Sequence, residues 1–229
     1  MNWLGLDIGG ANIKAASSDG KVFSTPFRFW IEQESLNETL ADLIQRFPDT
    51  RIAATMTAEL ADCFESRKQG VHSIVDCLSN VCSELGLHAP IFAGTDLQFR
   101  CADEAKQSWL KTAASNWAML ASYASRHLPQ QTGLVIDLGS TTTDIIPVRD
   151  GKVIAKGMTD SERLRNGELV YVGVDRTPVC SVIVHCLSMD PGYQSLVSSS
   201  QRSPMRCWWL PVAKKTLRTS TLPTDSLVQ

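Results

Sequence analysis

The sequence has no Cys-x-x-Cys pair, no long apolar run and no block of one charge, and each shortage removes a class of protein. No stretch approaches the ~18 uninterrupted apolar residues that a membrane span requires, so no membrane partner is expected. With 22 Lys+Arg against 24 Asp+Glu the net charge is −2, which gives no general attraction to nucleic acid or anionic lipid. The Cys at positions 63, 77, 82, 101, 180, 186 and 207 are odd in number and scattered. They argue against a disulfide framework or a zinc site and for buried single thiols of a cytoplasmic protein. The four His are equally scattered. The opening Met1-Asn2-Trp3-Leu4 has no basic start and meets Asp7 at once, so no signal peptide is expected. What is present, 43% hydrophobic and 20% charged residues over 229 positions, suits one large packed domain or two small ones.

The strongest positive feature is an internal repeat. Residues 4–22 read LGLDIGGANIKAASSDGKV, and residues 134–153 read LVIDLGSTTTDIIPVRDGKV. Each copy predicts an apolar strand, a tight turn at Asp-x-Gly-Gly/Ser, a second strand and a hairpin turn at Asp19-Gly20 or Asp150-Gly151. Two such meanders imply two pseudo-equivalent domains, each with its first strand central and buried.

Between the copies the period changes. Leu36, Leu40, Leu43, Ile44 and Phe47 share one helix face ahead of Pro48, and residues 51–57 read as a buried strand. Val71, Ile74, Val75, Leu78, Val81, Cys82 and Leu85 predict a second helix, and residues 90–94 a short strand. A single long helix is expected from Ala102 to His127, with Trp109 and Trp117 in the core or at a domain interface. This alternation predicts a layered α/β fold. The expected units are 1–128, 133–180, and a tail 181–229 of different character. That tail has nine Ser, no Glu and neither the 3.6 nor the 2.0 period, so it is expected to pack poorly, and a shifted reading frame or truncation would explain it.

A phosphate needs several donors converging within ~3 Å, and a Gly-rich turn offers backbone N–H groups without side-chain bulk. Gly9 and Gly10 form one such turn, Gly139 and Ser140 the other. Asn12 follows the first, and Thr141 and Thr142 the second. Asp7 and Asp137 end the two first strands, and facing hairpins would bring both carboxylates into one space. That suits Mg²⁺, which takes one or two carboxylates and completes its shell with water and phosphate oxygens. Lys14 either reaches a phosphate or is a solvated strand lysine. A lone Asp-x-Gly-Gly is also a plain hairpin turn; the repetition is what points to a ligand.

The two turn motifs resemble those of the actin, sugar kinase and heat-shock chaperone ATPase superfamily, a ribonuclease H-like fold. The second copy is similar to the hydantoinase A/oxoprolinase branch. More narrowly, GLDIGGANIKAA, MTAELADCF and GELVYVGVDRTPVC together resemble tetrahydromethanopterin-linked C1 transfer pathway proteins. Archaeal relatives of that group include a methanofuran-biosynthesis synthase joining an aminomethylfuran diphosphate to glutamyl-tyramine. The resemblance covers about residues 3–180 and implies an actin-like ATPase fold whose second domain is incomplete. It further implies a small phosphorylated ligand, Mg²⁺ and, in a kinase-like version, ATP. A homodimer is a further option. The Gly-rich loop that holds adenosine in this superfamily has no counterpart after Cys180.

Other polar groups follow predicted strands, where α/β proteins place ligand-binding groups. Thr57, Glu59 and Asp62 are substrate candidates, with helix capping and a solvated face as the alternative. Asp96 is either a general base of the sugar-kinase kind or a cap. Arg176 would pair with a phosphate or carboxylate, or lie on the surface. Two functional classes remain: a transferase or ATP-dependent enzyme, and a nucleotide-responsive module without turnover; an inactive truncated product is the third outcome.

Overall fold

A computed structural model describes residues 2–174 and the backbone of two further short strands, 176–178 and 209–211. The first meander is β1 (Asn2–Ile8), β2 (Asn12–Ser17) and β3 (Val22–Pro26). Then come α1 (Phe29–Glu32), α2 (Leu36–Gln45), β4 (Thr50–Met56), α3 (Arg67–Glu84), β5 (Ile91–Ala93) and β6 (Phe99–Arg100). Three short helices follow, α4 (Ala102–Gln107), α5 (Trp109–Thr112) and α6 (Asn116–Ser125). The second meander is β7 (Thr132–Leu138), β8 (Thr143–Arg149) and β9 (Lys152–Val153), followed by α7 (Asp160–Arg165) and β10 (Leu169–Val170). Finally β11 (Arg176–Pro178) pairs with β12 (Trp209–Pro211).

The strands form a six-stranded sheet in the order β3-β2-β1-β4-β5-β6 and a smaller one in the order β10-β8-β7, with β9 also on β8. β1, β4 and β5 run parallel, as their helical crossovers require, and the meander strands run antiparallel. This mixed α/β architecture, with the meander built twice, is the actin-like arrangement that the resemblance implied.

Alternation decides the packing. Leu4, Leu6 and Ile8 of β1 join Ile52, Ala54 and Met56 of β4 in the main core, under the apolar stripes of α2 and α3. Full burial of each of the Leu, Ile and Met side chains contributes about 1.5–3 kcal/mol. Ser66 starts α3 as a side-chain cap, its hydroxyl accepting from Gln69 N–H at 3.2 Å. A second, smaller core joins Trp117, Ala118 and Ala121 of α6 to Ile146 of β8.

Three expectations are corrected. The single helix 102–127 is three helices: it breaks at Ser108, whose ψ of 36° leaves the helical region, and again at Ala114, which adopts a left-handed φ of 46° and gives its N–H to the Glu59 carboxylate rather than to a helical turn. The break lets Trp109 pack on the main core while Trp117 packs on the second sheet. β7 is not central: it pairs only with β8 among the described residues, and one of its faces is open. Of the four described cysteines, Cys82 is buried but Cys101 is exposed. The expectation about how 181–229 packs falls outside the described residues. No helix among those described is long and apolar enough to cross a membrane.

Candidate functional site

The two glycine turns are built alike. Gly9 N–H donates to the Asn12 carbonyl at 3.0 Å, and Gly139 N–H to the Thr142 carbonyl at 2.8 Å. A Cβ on Gly9 would lie 2.8 Å from the Asn12 oxygen, and one on Gly139 would lie 3.1 Å from the Thr142 oxygen, so only glycine fits without a shift. This revises the expected donor set. The N–H groups of Gly9 and Gly139 close their own turns, so of the expected donors only Gly10, Ser140 and the residues after them remain as candidates. Around the first turn, Phe29 N–H and Phe27 N–H donate to the carbonyls of Gly10 and Ala11, both at 3.0 Å.

The turns differ in what lies over them. Nothing comes within 4 Å of where a Gly10 side chain would stand. The second turn is strapped by residues 171–174. The Thr143 hydroxyl donates to the Val172 carbonyl at 2.6 Å, and Val174 N–H donates to the Gly139 carbonyl at 3.0 Å. Gly173 sits so close that a Cβ there would collide with the Ser140–Thr141 peptide.

The carboxylates lie at the ends of β1 and β7. Asp7 pairs with Lys14 across the hairpin at 3.4 Å and accepts from the Thr55 hydroxyl at 3.3 Å. Burial pushes its carboxyl up; Lys14 and Thr55 oppose that rise, and the charge of Asp137 adds to it. The Asp137 contribution is the smallest of these.

Directly across from Asp137 in the register stands Asp144. Arg163 donates to Asp144 at 2.6 Å and to the Glu168 carbonyl at 2.8 Å, and stacks 3.9 Å above the Trp117 ring. Burial raises the Asp144 carboxyl, Arg163 opposes this, and Asp137 adds to it. The Glu168 carboxylate accepts the N–H groups of Lys156 and Gly157 at 2.7 and 2.9 Å. Asp144 and Arg163 were absent from the sequence-level candidates, yet Asp144 was readable. It follows Asp137 by the spacing that separates Lys14 from Asp7, which the hairpin register turns into a cross-strand pair. Arg163 carried no such signal.

The remaining candidates divide. Thr57 adjoins the first turn: its N–H donates to the Ile8 carbonyl at 3.0 Å, and its hydroxyl oxygen lies 3.6 Å from where a Gly9 Cβ would be. Glu59, expected as a substrate contact, is instead an enclosed strut. Its Oε1 accepts Ala114 N–H at 2.9 Å and Arg67 Nε at 3.3 Å, while Oε2 is buried without a hydrogen bond, and burial raises its carboxyl. Arg67 continues to Asp160 at 3.1 Å, so the chain Glu59–Arg67–Asp160 ties α3 to α7. Asp62 is exposed. Asp96 does not suit a general base: Arg100 grips both its oxygens at 2.9 and 2.6 Å and Lys111 adds a contact at 3.2 Å. The Arg100 hydrogen bonds lead in holding its carboxyl down at about 2. The side chain of Arg176 lies outside the described residues.

A groove of about 600 Å³ runs from Asp7, Lys14 and Thr55 along the face of the large sheet that α2 and α3 do not cover. Among the described residues no three His, Cys, Asp or Glu side chains cluster as metal ligands. The Asp7/Asp137 pair suits Mg²⁺ in chemistry: two hard oxygen donors whose mutual repulsion a divalent cation would relieve.

The profile of the hydantoinase/oxoprolinase family matches residues 51–186. Among characterised proteins, the chain is 38% identical over 182 residues to the (4-{4-[2-(gamma-L-glutamylamino)ethyl]phenoxymethyl}furan-2-yl)methanamine synthase of Methanocaldococcus jannaschii, covering 77% of this chain and 52% of that protein. It is 51% identical over 59 residues to the synthase of the same name from Methanococcus vannielii, covering 26% of each. The chain thus spans about half the length of the first relative. Among solved structures it is similar to MreB5 of Spiroplasma citri at 15% identity and a TM-score of 0.39, covering 75% of this chain and 52% of that one.

Proposed function

The chain belongs to the hydantoinase/oxoprolinase family, and from that premise we propose that its paired hairpins clamp a phosphorylated small molecule with Mg²⁺ in an enzyme of methanofuran-linked C1 metabolism. The observation that carries this reading is the geometry of the twin glycine turns, each closed by the same backbone hydrogen bond and each with a carboxylate, Asp7 or Asp137, on the strand that leads into it. Asp7 and Asp137 would hold the ion. When bound, Mg²⁺ neutralises charge on a diphosphate, including charge that develops as a diphosphate leaves. The chain's own part is positioning. The backbone donors after Gly9 and Gly139, with Asn12, Ser140, Thr141 and Thr142, would orient phosphate oxygens, and Lys14 adds a cation beside Asp7. The names of the two relatives support a synthase over a kinase, and the arginine-locked Asp96 also counts against a kinase-type base.

Calorimetric titration of the full chain with inorganic pyrophosphate, with and without Mg²⁺, tests the clamp. Binding should require Mg²⁺, and Asp7→Asn and Asp137→Asn should each weaken it at least about tenfold while the far-UV spectrum is kept. Undiminished Mg²⁺-dependent binding in the double variant would show that the hairpins are only turns. Pyrophosphate release from an aminomethylfuran diphosphate in the presence of glutamyl-tyramine then separates a synthase from a module without turnover.

A further inference from the structure

The two halves of the molecule have separate cores. One gathers the large sheet with α2 and α3, the other gathers α6 with β8, and no residue belongs to both. Between them lies α6, whose Trp117 joins the second core while its Met119 lines the groove on the large sheet. Two cores joined by so little shared apolar packing have relative motion as their default, so other contacts must fix how one hairpin faces the other. Among the described residues one ion pair crosses from residues 2–112 to residues 132–174. It joins Arg67 to Asp160 at 3.1 Å, with side chains 24 and 18% exposed.

The pair stands on a line between the two turns. Glu59 follows closely on Thr57, beside the first turn; it is buried and accepts from Arg67 Nε at 3.3 Å and from Ala114 N–H at 2.9 Å. On the other side, Asp160 opens α7, and Arg163 of the same helix grips Asp144, the register partner of Asp137. The helix that Arg67 starts does not account for its charge, since a cation at a helix N-terminus opposes the dipole. Asp160, at the start of α7, suits its own helix whether or not it is paired. An ion pair this enclosed adds little net stability, because desolvation offsets much of the attraction; what it fixes is geometry. Arg67 meets Glu59 through Nε and Asp160 through Nη2, in directions that the rigid guanidinium plane sets.

We propose that Arg67 is a positioning residue for the paired hairpins: its bridge from Glu59 to Asp160 sets where the second turn stands relative to the first, so that Asp7 and Asp137 meet one ligand. The ligand in this statement rests on the clamp reading above; the placement is measurable without any ligand. The test puts nitroxide labels at Lys21 and Lys152, exposed and equivalent places just past the two Asp-Gly tips. Each is replaced by p-acetylphenylalanine, which spares the 7 native Cys. Pulsed electron resonance on the otherwise unaltered chain should give one narrow distance. Asp160→Ala deletes the crossing contact and leaves Arg67 on Glu59, so the distribution should broaden at least about twofold. Asp160→Glu should restore the narrow distance, and Arg67→Met should repeat the broadening. Amide exchange in β1 and β8 should stay as it was in each variant, because both halves remain folded. Mg²⁺-dependent binding of inorganic pyrophosphate should weaken at least about tenfold in Asp160→Ala and recover in Asp160→Glu. A broad distribution in the unaltered chain, or one that stays narrow in both Asp160→Ala and Arg67→Met, overturns the proposal. So does broadening that Asp160→Glu leaves in place, or that comes with lost protection in β1 or β8, which would make the pair a stability element. Undiminished pyrophosphate binding in a broadened Asp160→Ala overturns it too. If the unaltered chain binds no pyrophosphate, the clamp reading falls and the label distances alone decide whether Arg67 sets the placement.

Discussion

The two hairpins share a sequence pattern, a turn hydrogen bond and a carboxylate at the end of the first strand, but their surroundings differ. β1 is the centre of a six-stranded sheet with helices over its aliphatic face; β7 is an edge, with the equivalent face open. The turn is fixed by contacts three residues apart and so comes out the same twice. Burial depends on elements contributed from elsewhere in the chain and does not. The charge pattern diverges in the same way. Lys14 faces Asp7 directly and stays largely in solvent, whereas the equivalent position holds Asp144, which needs buried Arg163 to neutralise it.

Substitutions at matched positions can break or sharpen that contrast. The largest difference is expected between Arg163→Met and Lys14→Met in urea unfolding. Arg163 is enclosed, and removing it strands a buried carboxylate, a loss of about 3–5 kcal/mol. Lys14 is well exposed and its pair is screened, so its loss costs about 1 kcal/mol or less. Equal effects would mean that the second half is not organised around Arg163. Next comes Leu6→Ala against Ile136→Ala. The first empties a core site and should cost about 2–5 kcal/mol. The second, on the open face, should fall within about 1 kcal/mol. A large loss at Ile136 would show that the face is already covered in the isolated chain. Smaller still is Gly173→Ala against Gly10→Ala. The strap leaves no room at Gly173, so about 1–3 kcal/mol of overpacking is expected there. The space beside Gly10 is open, and little change is expected.

The contrast also marks how much was legible in the sequence. The repeat was legible as self-similarity, and the α2 and α3 stripes and the β4 strand follow from periodicity, because core-facing positions must recur at 3.6 or 2.0 residues whatever the partner. The split of 102–127 into three helices was not legible. An Ala-rich stretch favours one helix, and at the α5–α6 break the tertiary bond from Ala114 N–H to buried Glu59 overrides that preference. For the same reason Glu59 read as a surface substrate ligand: its spacing after β4 is that of a ligand residue, but only packing reveals that it is enclosed. Asp96 looked like a base until Arg100, four residues on, proved to hold both its oxygens. The exposure of β7 lay beyond the sequence altogether, since its pattern is that of a buried strand.

The smallest expected effect is the most direct check on whether the hairpins share one space. The Asp7 carboxyl lies above its ordinary value of 3.8, first because of burial and in part because of the Asp137 charge. A carboxyl with a raised folded value binds more protons folded than unfolded between the two values. Stability from this group therefore falls as pH rises through that window and is greatest below it. Asp96, held at about 2, has the opposite sign: its contribution is present above its ordinary value and is lost as pH falls toward 2. Carbon-detected NMR titration should thus find Asp7 above and Asp96 below the usual carboxylate range. Asp137→Asn should bring Asp7 part of the way down, because it deletes one cause of the rise and leaves burial intact, and Asp96 should not move. An Asp7 titration that ignores Asp137→Asn would separate the two carboxylates electrostatically, and the two-hairpin clamp would fail with it.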